Sequence, residues 1–415
     1  MSEHAPLPRE IGLGGAVMLS FNGAVGAAIF ALPATLAADF GGWSPWLFPL
    51  VGLATLLIVV PFARTVAAFE VSGGPATYGR VWGRLPGFEL GWIYYIARAT
   101  AFAANANVLL SYLARWWAGA DEGALRIVLL LLVCGGLAAA NIAGMKRALR
   151  LLAGLTLLKT LPLVGIAATA LTLAPLPAPG PMPPLTAWEA SVLLTFYAFV
   201  GFENAVVPAG ETRQPGRTLP RAILLTTAVT ASLYLLVQLA FVAVFPAGGA
   251  DSKAPLIDLG QQLGGPAGAA LVTLAALASL AGNLHGIMAS TPRVTFAMAE
   301  RGELPRWFRQ VTRATAAPGN SIGFLAALTA LLAVSGSFVW LAVVSTLARM
   351  IIYAATIAAL PRAAGKPLPA WHWMTGAIGI AICALVGAQA EAAAWATLGG
   401  LALAGFLLFL IAGRR

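Results

Sequence analysis

Two stretches decide how this chain is read. One is Asn22-Gly23-Ala24-Val25-Gly26-Ala27-Ala28-Ile29-Phe30-Ala31-Leu32-Pro33. The other is Tyr197-Ala198-Phe199-Val200-Gly201-Phe202-Glu203, followed by Pro208. Each sits inside a long apolar run, and in each a glycine precedes a proline by seven residues, Gly26 to Pro33 and Gly201 to Pro208. Glycine lets a backbone leave helical geometry, and proline removes a donor and strains the turn before it. Both runs are therefore expected to form helices broken near their middles.

The composition says what surrounds those helices. Of 415 residues, 60% are hydrophobic and only 10% are Asp, Glu, Lys or Arg, against about 25% charged in soluble domains. The mean hydropathy is +0.85. Such a chain cannot cover a water-facing surface, which excludes a soluble enzyme, a nucleic-acid binder and a disordered chain as readings of the whole. It is expected to be an all-α integral membrane protein. A helix needs about 20 apolar residues to cross a hydrocarbon core roughly 30 Å thick. Uncharged or nearly uncharged stretches fall near 11–37, 43–66, 87–115, 124–143, 149–173, 188–210, 220–245, 264–292, 317–336, 338–360, 371–389 and 392–412, about twelve spans. The proline-rich, uncharged segment Ala174–Ala187 reads as an extended outer loop. Residues 1–10 are polar, and the uncharged run Ile11–Ala38 is too long for the core of a cleaved signal, so it is kept as the first span. Cys134 and Cys383 lie in apolar stretches and read as packing residues, with no disulfide framework and no metal site implied.

The cations orient the bundle. With the N-terminus inside, inner segments hold Arg9, Arg64, Arg80, Arg84, Lys146, Arg147, Arg150, Arg213, Arg217, Arg221, Arg293, Arg301, Arg306, Arg309, Arg313, Arg362, Lys366, Arg414 and Arg415. Outer loops hold Arg115, Arg126 and Lys253; Arg98, Lys159 and Arg349 fall within spans. That asymmetry predicts cytoplasmic N- and C-termini in a multi-pass cytoplasmic (inner) membrane protein. The pI near 10.2 is then topology and not a nucleic-acid footprint.

In a bilayer, a helix break is tolerated only where it faces protein or a water-filled cavity, and paired breaks in two halves of a chain point to a transporter's binding site. Spans one and six lie five apart. That suits a tail (1–10), a ten-helix core (11–360) of two inverted five-helix repeats (about 11–173 and 188–360), and two appended helices (371–412). A half-helix N-terminus offers N–H groups to a carboxylate, and a half-helix C-terminus offers carbonyls to an ammonium. Two breaks side by side would hold a zwitterion without a charged side chain. Glycine and proline are also simply common in membrane helices, so spacing alone leaves the plainer reading open.

Gly26-Ala27-Ala28-Ile29-Phe30 with Leu32-Pro33-Ala34 resembles the first-helix motif Gly-Ser-Gly-Ile/Val-Phe…Leu-Pro-Ala of the amino acid–polyamine–organocation family. Ser72-Gly73-Gly74-Pro75 with Tyr78 resembles that family's loop after helix two, and Asn141 to Lys146 the inner end of helix four. Phe199 to Glu203, then Glu211, Pro215, Arg217 and Pro220-Arg221-Ala222-Ile223, resembles helix six and its following loop. Arg293, Ala297-Met298-Ala299, Gly302 and Leu304-Pro305 resemble the segment after helix eight. The matches run in family order over about residues 12–308, some three-quarters of the chain. The resemblance implies a LeuT-like 5+5 inverted repeat, with helices one and six unwound at mid-membrane, moving amino acids or related amines by alternating access. It implies a substrate site of Ala24, Gly26, Ala27, Ala28, Tyr197, Phe199, Val200 and Phe202. In that site the N–H groups of Ala27 and Ala28 would meet the carboxylate, carbonyls of Ala24, Tyr197 and Val200 the amine, and the Tyr197 ring would act as a gate. The chain departs from the pattern where the family's Ser and Gly are Ala27 and Ala28, which removes a hydroxyl donor and adds a methyl, and where an acidic residue before Glu211 is Gly210.

Lys159 lies nine residues beyond Arg150, roughly 14 Å deep at about 1.5 Å per residue. A central Lys costs at least about 2.5–3.5 kcal/mol and so faces a partner or a cavity. By resemblance it matches the fifth-helix Lys of proton-coupled members, whose ammonium replaces a sodium ion bridging helices one and eight. It reads as a proton-coupling residue or a fixed structural cation. Glu203 reads equally as a gate or proton-linked carboxylate and as an acceptor for donors freed by the break. Arg98 and Arg349 are expected to be gating or structural partners of carboxylates, with a place in the cavity as ligands the other reading. His285, beside Asn283, would line the cavity, couple protons or bond a neighbouring helix. Three buried cations against one clear carboxylate favour neutral, then acidic, substrates.

The expected function is proton-coupled symport of an amino acid, with the proton as coupling ion and no other cofactor. An exchanger or exporter of the same fold stands next, and a non-transporting amino acid sensor further off. A membrane-embedded enzyme would need clustered nucleophiles or ligands, which the sequence lacks. The partners are an amino acid and the lipid bilayer, with no nucleic acid and the oligomeric state left open.

Overall fold

The computed structural model describes residues 11–69, 74–143, 148–176, 178–207, 209, 212–246, 253–312, 315, 317–364 and 367–413. Several residues used above lie outside the described residues: Arg9, Ser72, Gly73, Lys146, Arg147, Pro208, Gly210, Glu211, Arg313, Lys366, Arg414 and Arg415. Among the described residues the regular structure is helical, and Ile11 and Thr212 form an isolated parallel bridge.

The helices are α1 (Leu13–Ala24), α2 (Ala28–Phe40), α3 (Leu47–Ala68), the short α4 (Pro75–Gly79), α5 (Arg84–Ala114), α6 (Gly123–Ile142), α7 (Ala148–Leu173) and α8 (Leu185–Phe199). There follow α9 (Pro215–Val244), α10 (Pro255–Ser290), α11 (Pro292–Glu300), α12 (Gly319–Ser335), α13 (Phe338–Ala363), α14 (Ala370–Ala388) and α15 (Ala392–Gly413). Local chemistry sets several starts. Proline opens α9, α10 and α11 at positions where its missing N–H costs nothing. The Ser337 hydroxyl accepts the Trp340 N–H at 3.3 Å to cap α13.

Among the described residues, nine helical segments are long and apolar enough to cross a membrane. The other expected spans differ for physical reasons. α1 has 12 residues and α12 has 17, so each is short. α5 has 31 residues, but Arg98, Asn105 and Asn107 make it too polar for an apolar criterion. The polarity belongs to its place, because α5 is buried along most of its length against α13, α10 and α12.

The last two helices lie outside this centre. α15 docks on α5 where the Trp92 Nε1–H donates to the Leu401 carbonyl at 2.8 Å, and Gly405 leaves room for the indole. α14 lies on α3, with Gly379 over the Leu57 carbonyl. Their outer faces expose Trp371, Trp373, Leu385, Leu403 and Leu407, an apolar surface suited to hydrocarbon. Cys134 and Cys383 are both free and buried, consistent with packing.

Candidate functional site

α1 stops at Ala24 and α2 starts at Ala28, with Val25, Gly26 and Ala27 between them outside helical structure. α8 stops at Phe199, Val200 is extended, and Gly201 takes φ +109° before a 3-10 turn over Phe202–Val206. The two interruptions touch backbone to backbone. A Cβ on Gly201 would stand 2.2 Å from the Gly23 carbonyl oxygen, and one on Gly23 would stand 2.3 Å from the Gly201 oxygen. No side chain fits in that gap, so glycine is required on both sides. The sequence singled out Gly26 and Gly201, whereas the contacting pair is Gly23 and Gly201. Gly26 serves another purpose, because its absent Cβ would meet the Asn105 Oδ1 at 2.8 Å.

A cavity of about 20 Å³ lies between the breaks, lined by Gly23, Ala24, Gly26, Ala27 and Ala28 together with Tyr197, Val200, Arg98, Ala101, Asn105, Asn283, Ile287 and Arg349. That volume holds about one water molecule, so the arrangement is closed around its centre. Six of the eight expected substrate residues line it: Ala24, Gly26, Ala27, Ala28, Tyr197 and Val200. Phe199 and Phe202 do not. Phe199 packs toward Gly52 and Tyr234, and Phe202 stacks on Tyr353 with centroids 4.9 Å apart. Phe199 is the last residue of α8 and Phe202 the first of the 3-10 turn, and each ring lies in the surrounding aromatic core and not at the cavity. His285 also does not line the cavity. It is two positions, or about 200°, around α10 from Asn283, which does.

The N–H groups of Ala27 and Ala28 lead into α2 with no backbone acceptor among the described residues, leaving donors where a carboxylate would sit. The Ala24 carbonyl, expected to meet an amine, already accepts the Gly26 N–H at 3.1 Å and the Tyr234 hydroxyl at 3.3 Å. Both its lone pairs are engaged, so an amine there would have to displace one of them. Asn105 donates through Nδ2 to the Ala101 carbonyl at 2.6 Å, and its Oδ1 is buried with no partner. The Tyr197 ring meets Phe338 edge to face at 5.8 Å, closing one wall.

The buried charges separate into three arrangements. Glu203 accepts the Arg349 Nε–H at 2.8 Å, the Tyr353 hydroxyl at 2.8 Å and the Gly201 N–H at 2.9 Å. It is thus an acceptor for a donor freed by the break and the counter-charge of Arg349, which also donates to the Ala97 carbonyl and the Ser345 hydroxyl. Arg98 has no carboxylate partner among the described residues, contrary to expectation. Its partners are Asn204, Ser290 at 2.9 Å and Thr291 at 3.3 Å, which tie α5 to the helix-six turn and to the end of α10. Lys159, 1% exposed, donates through Nζ to the Val25 carbonyl at 2.9 Å, and Ser279 of α10 donates to the same oxygen at 3.4 Å. Lys159 therefore meets the break from the side away from the cavity. Asn204 and Tyr234 were not foreseen as parts of this site. Asn204 carried a usable signal, lying one residue past Glu203 just after the break.

A model of the family described as amino acid permease matches residues 11–388. The chain belongs to that family. An uncharacterized transporter of Mycobacterium tuberculosis is 30% identical over 325 residues, covering 74% of this chain and 69% of the relative. The serine/threonine exchanger of Bacillus subtilis is 27% identical over 328 residues, covering 73% and 71%. A second Bacillus subtilis relative, named for arginine/ornithine antiport, is 27% identical over 327 residues, covering 70% and 69%. The amino acid permease is accordingly a multi-pass membrane transporter and not an enzyme, with the all-helical fold its family implies.

Proposed function

We propose that this permease carries a neutral amino acid across the cytoplasmic membrane by alternating access, coupled to a proton through Lys159, with both termini cytoplasmic. The observation that supports this most is the Lys159 Nζ bond to the Val25 carbonyl, inside the very turn whose neighbours Ala27 and Ala28 face the cavity. A charge-assisted hydrogen bond is roughly twice as strong as a neutral one. Protonation of Nζ therefore tightens the tie between α7 and the first break, and loss of the proton loosens it. The α-carboxylate takes the N–H groups of Ala27 and Ala28. The amine takes carbonyls from Tyr197 and Val200, with the Asn105 Oδ1 as a further acceptor. Small apolar walls from Ala101 and Ile287 suit a neutral side chain. Glu203 is committed to Arg349, and the described lining of the cavity holds no carboxylate for a cationic one; an acidic side chain, met by Arg98, stands second.

Exchange is the second reading, favoured by the relatives named for serine/threonine exchange and arginine/ornithine antiport. One experiment separates the two. Purified protein in sodium-free proteoliposomes with an alkaline interior is tested with a panel of labelled amino acids. Symport gives accumulation above equilibrium that a protonophore abolishes. Uptake only into vesicles preloaded with amino acid assigns exchange instead. No uptake of any panel member in either condition overturns the substrate class.

A further inference from the structure

At the end of the bundle where α5 begins and α15 finishes, two clefts share Arg84 as a common wall. One, of about 520 Å³, is lined by Arg80, Gly83, Arg84 and Arg301. The other, of about 380 Å³, brings Arg84, Arg306 and Arg309 against Ile411 and Ala412 of α15. The cations differ in how they are held. Glu303, its side chain fully buried, pairs with both Arg80 and Arg301, the latter at 3.0 Å, and so neutralises one of those two charges. Arg84 is fixed by a 2.6 Å bond to the Gly302 carbonyl and by the Phe409 ring, 5.4 Å from its guanidinium. Arg306 and Arg309 are exposed and carry no ion pair among the described residues. Glu300 is the single carboxylate in the wall of the second cleft. The region thus holds more guanidinium charge than its carboxylates balance, arranged in a concave site where Arg84 is held by Gly302 and Phe409.

The other wall says where the ligand comes from. Leu403, Leu407, Leu410 and Ile411 are 57%, 51%, 42% and 50% exposed. Spaced four, three and one residues apart, they form a stripe along one face of α15 that runs up to Ile411 in the cleft. An apolar stripe leading to a cluster of arginines is complementary to acyl chains ending in an anionic headgroup, and basic pockets at helix ends recognise such lipids. We propose that the second cleft binds the phosphate headgroup of an anionic phospholipid, with its acyl chains lying along the α15 stripe. The site is separate from the cavity between the helix breaks and shares no residue with it.

The test uses the full-length protein in a non-ionic detergent, with retained lipid read by native mass spectrometry and thermal midpoint read in parallel. Phosphatidylglycerol, phosphatidylcholine and glycerol phosphate are added separately. Phosphatidylglycerol is expected to be retained and to raise the midpoint, while phosphatidylcholine and glycerol phosphate do neither. The paired substitution Arg306→Gln with Arg309→Gln should weaken phosphatidylglycerol binding about thirtyfold, the loss expected for two surface cations. Arg306→Lys with Arg309→Lys should keep most of it. A midpoint for either pair close to wild type without added lipid shows that the fold is intact. Equal retention of phosphatidylcholine, an equal midpoint rise with glycerol phosphate alone, or undiminished phosphatidylglycerol binding by the Gln pair overturns the proposal.

Discussion

The Val25 carbonyl accepts from Lys159 at 2.9 Å and from Ser279 at 3.4 Å, so one oxygen joins three segments of the chain. Lys159→Ala removes the charged arm of that junction. The expected result is loss of gradient-driven accumulation in proteoliposomes with normal membrane insertion; full accumulation would leave Lys159 with a structural role only. Glu203 makes the opposite kind of prediction, because its carboxylate is already matched by Arg349, Tyr353 and the Gly201 N–H. Breaking one side of a buried ion pair costs about 3–5 kcal/mol, whereas replacing both charges is often neutral. Glu203→Gln should therefore lower the thermal midpoint sharply, and adding Arg349→Met should restore much of it. A double variant no more stable than the single one would show that the pair is not the source of the loss. Lys159, Glu203 and Arg349 were legible in the sequence because a charge in an apolar run stands out. Their partners were not, since Val25, Ser279 and Tyr353 are ordinary membrane-helix residues until the fold brings them together. Arg98 shows the limit of charge counting: it stood out equally well, yet its partners are an amide and two hydroxyls.

The helix breaks were readable as elements because glycine and proline mark where a helix cannot be continuous. Their mutual contact was not readable, since it depends on how spans from opposite halves of the chain approach. Gly201→Ala combines a positive φ with a Cβ 2.2 Å from backbone. It should cost roughly 2–5 kcal/mol, seen as a lower thermal midpoint or failure to fold. Gly41→Ala also has a positive φ but meets nothing within 4 Å, so its smaller loss calibrates the backbone contribution. Ala28→Leu tests the other side of the break by filling the cavity of about 20 Å³. Substrate-induced thermal stabilisation should vanish in that variant, and an unchanged shift would place the substrate elsewhere. Two of the residues that miss the cavity do so for different local reasons. His285 shares α10 with Asn283 but not its face, and Phe202 turns away into a stack on Tyr353. For His285, adjacency in sequence to Asn283 did not give adjacency in space.

For the whole molecule, composition alone settled the solvent, and ordered motifs pointed to the family that the match over residues 11–388 shows. The number of spans was harder to read. α5 is polar because it is central, so an apolar criterion loses it for the very reason that it matters. Packing at the junction of Gly23 and Gly201 has a mechanical consequence. Side chains between two helices act as bearings, allowing one helix to slip over the other by small rotamer changes. Here the two glycine backbones abut directly, with the Asn204 amide packed against Gly23 beside them. Shear across that seam would require the backbones to separate, losing contact along the whole junction at once. A displacement of α1 at Gly23 is therefore felt directly at Gly201, so the end of α1 and the turn after Gly201 are expected to move together.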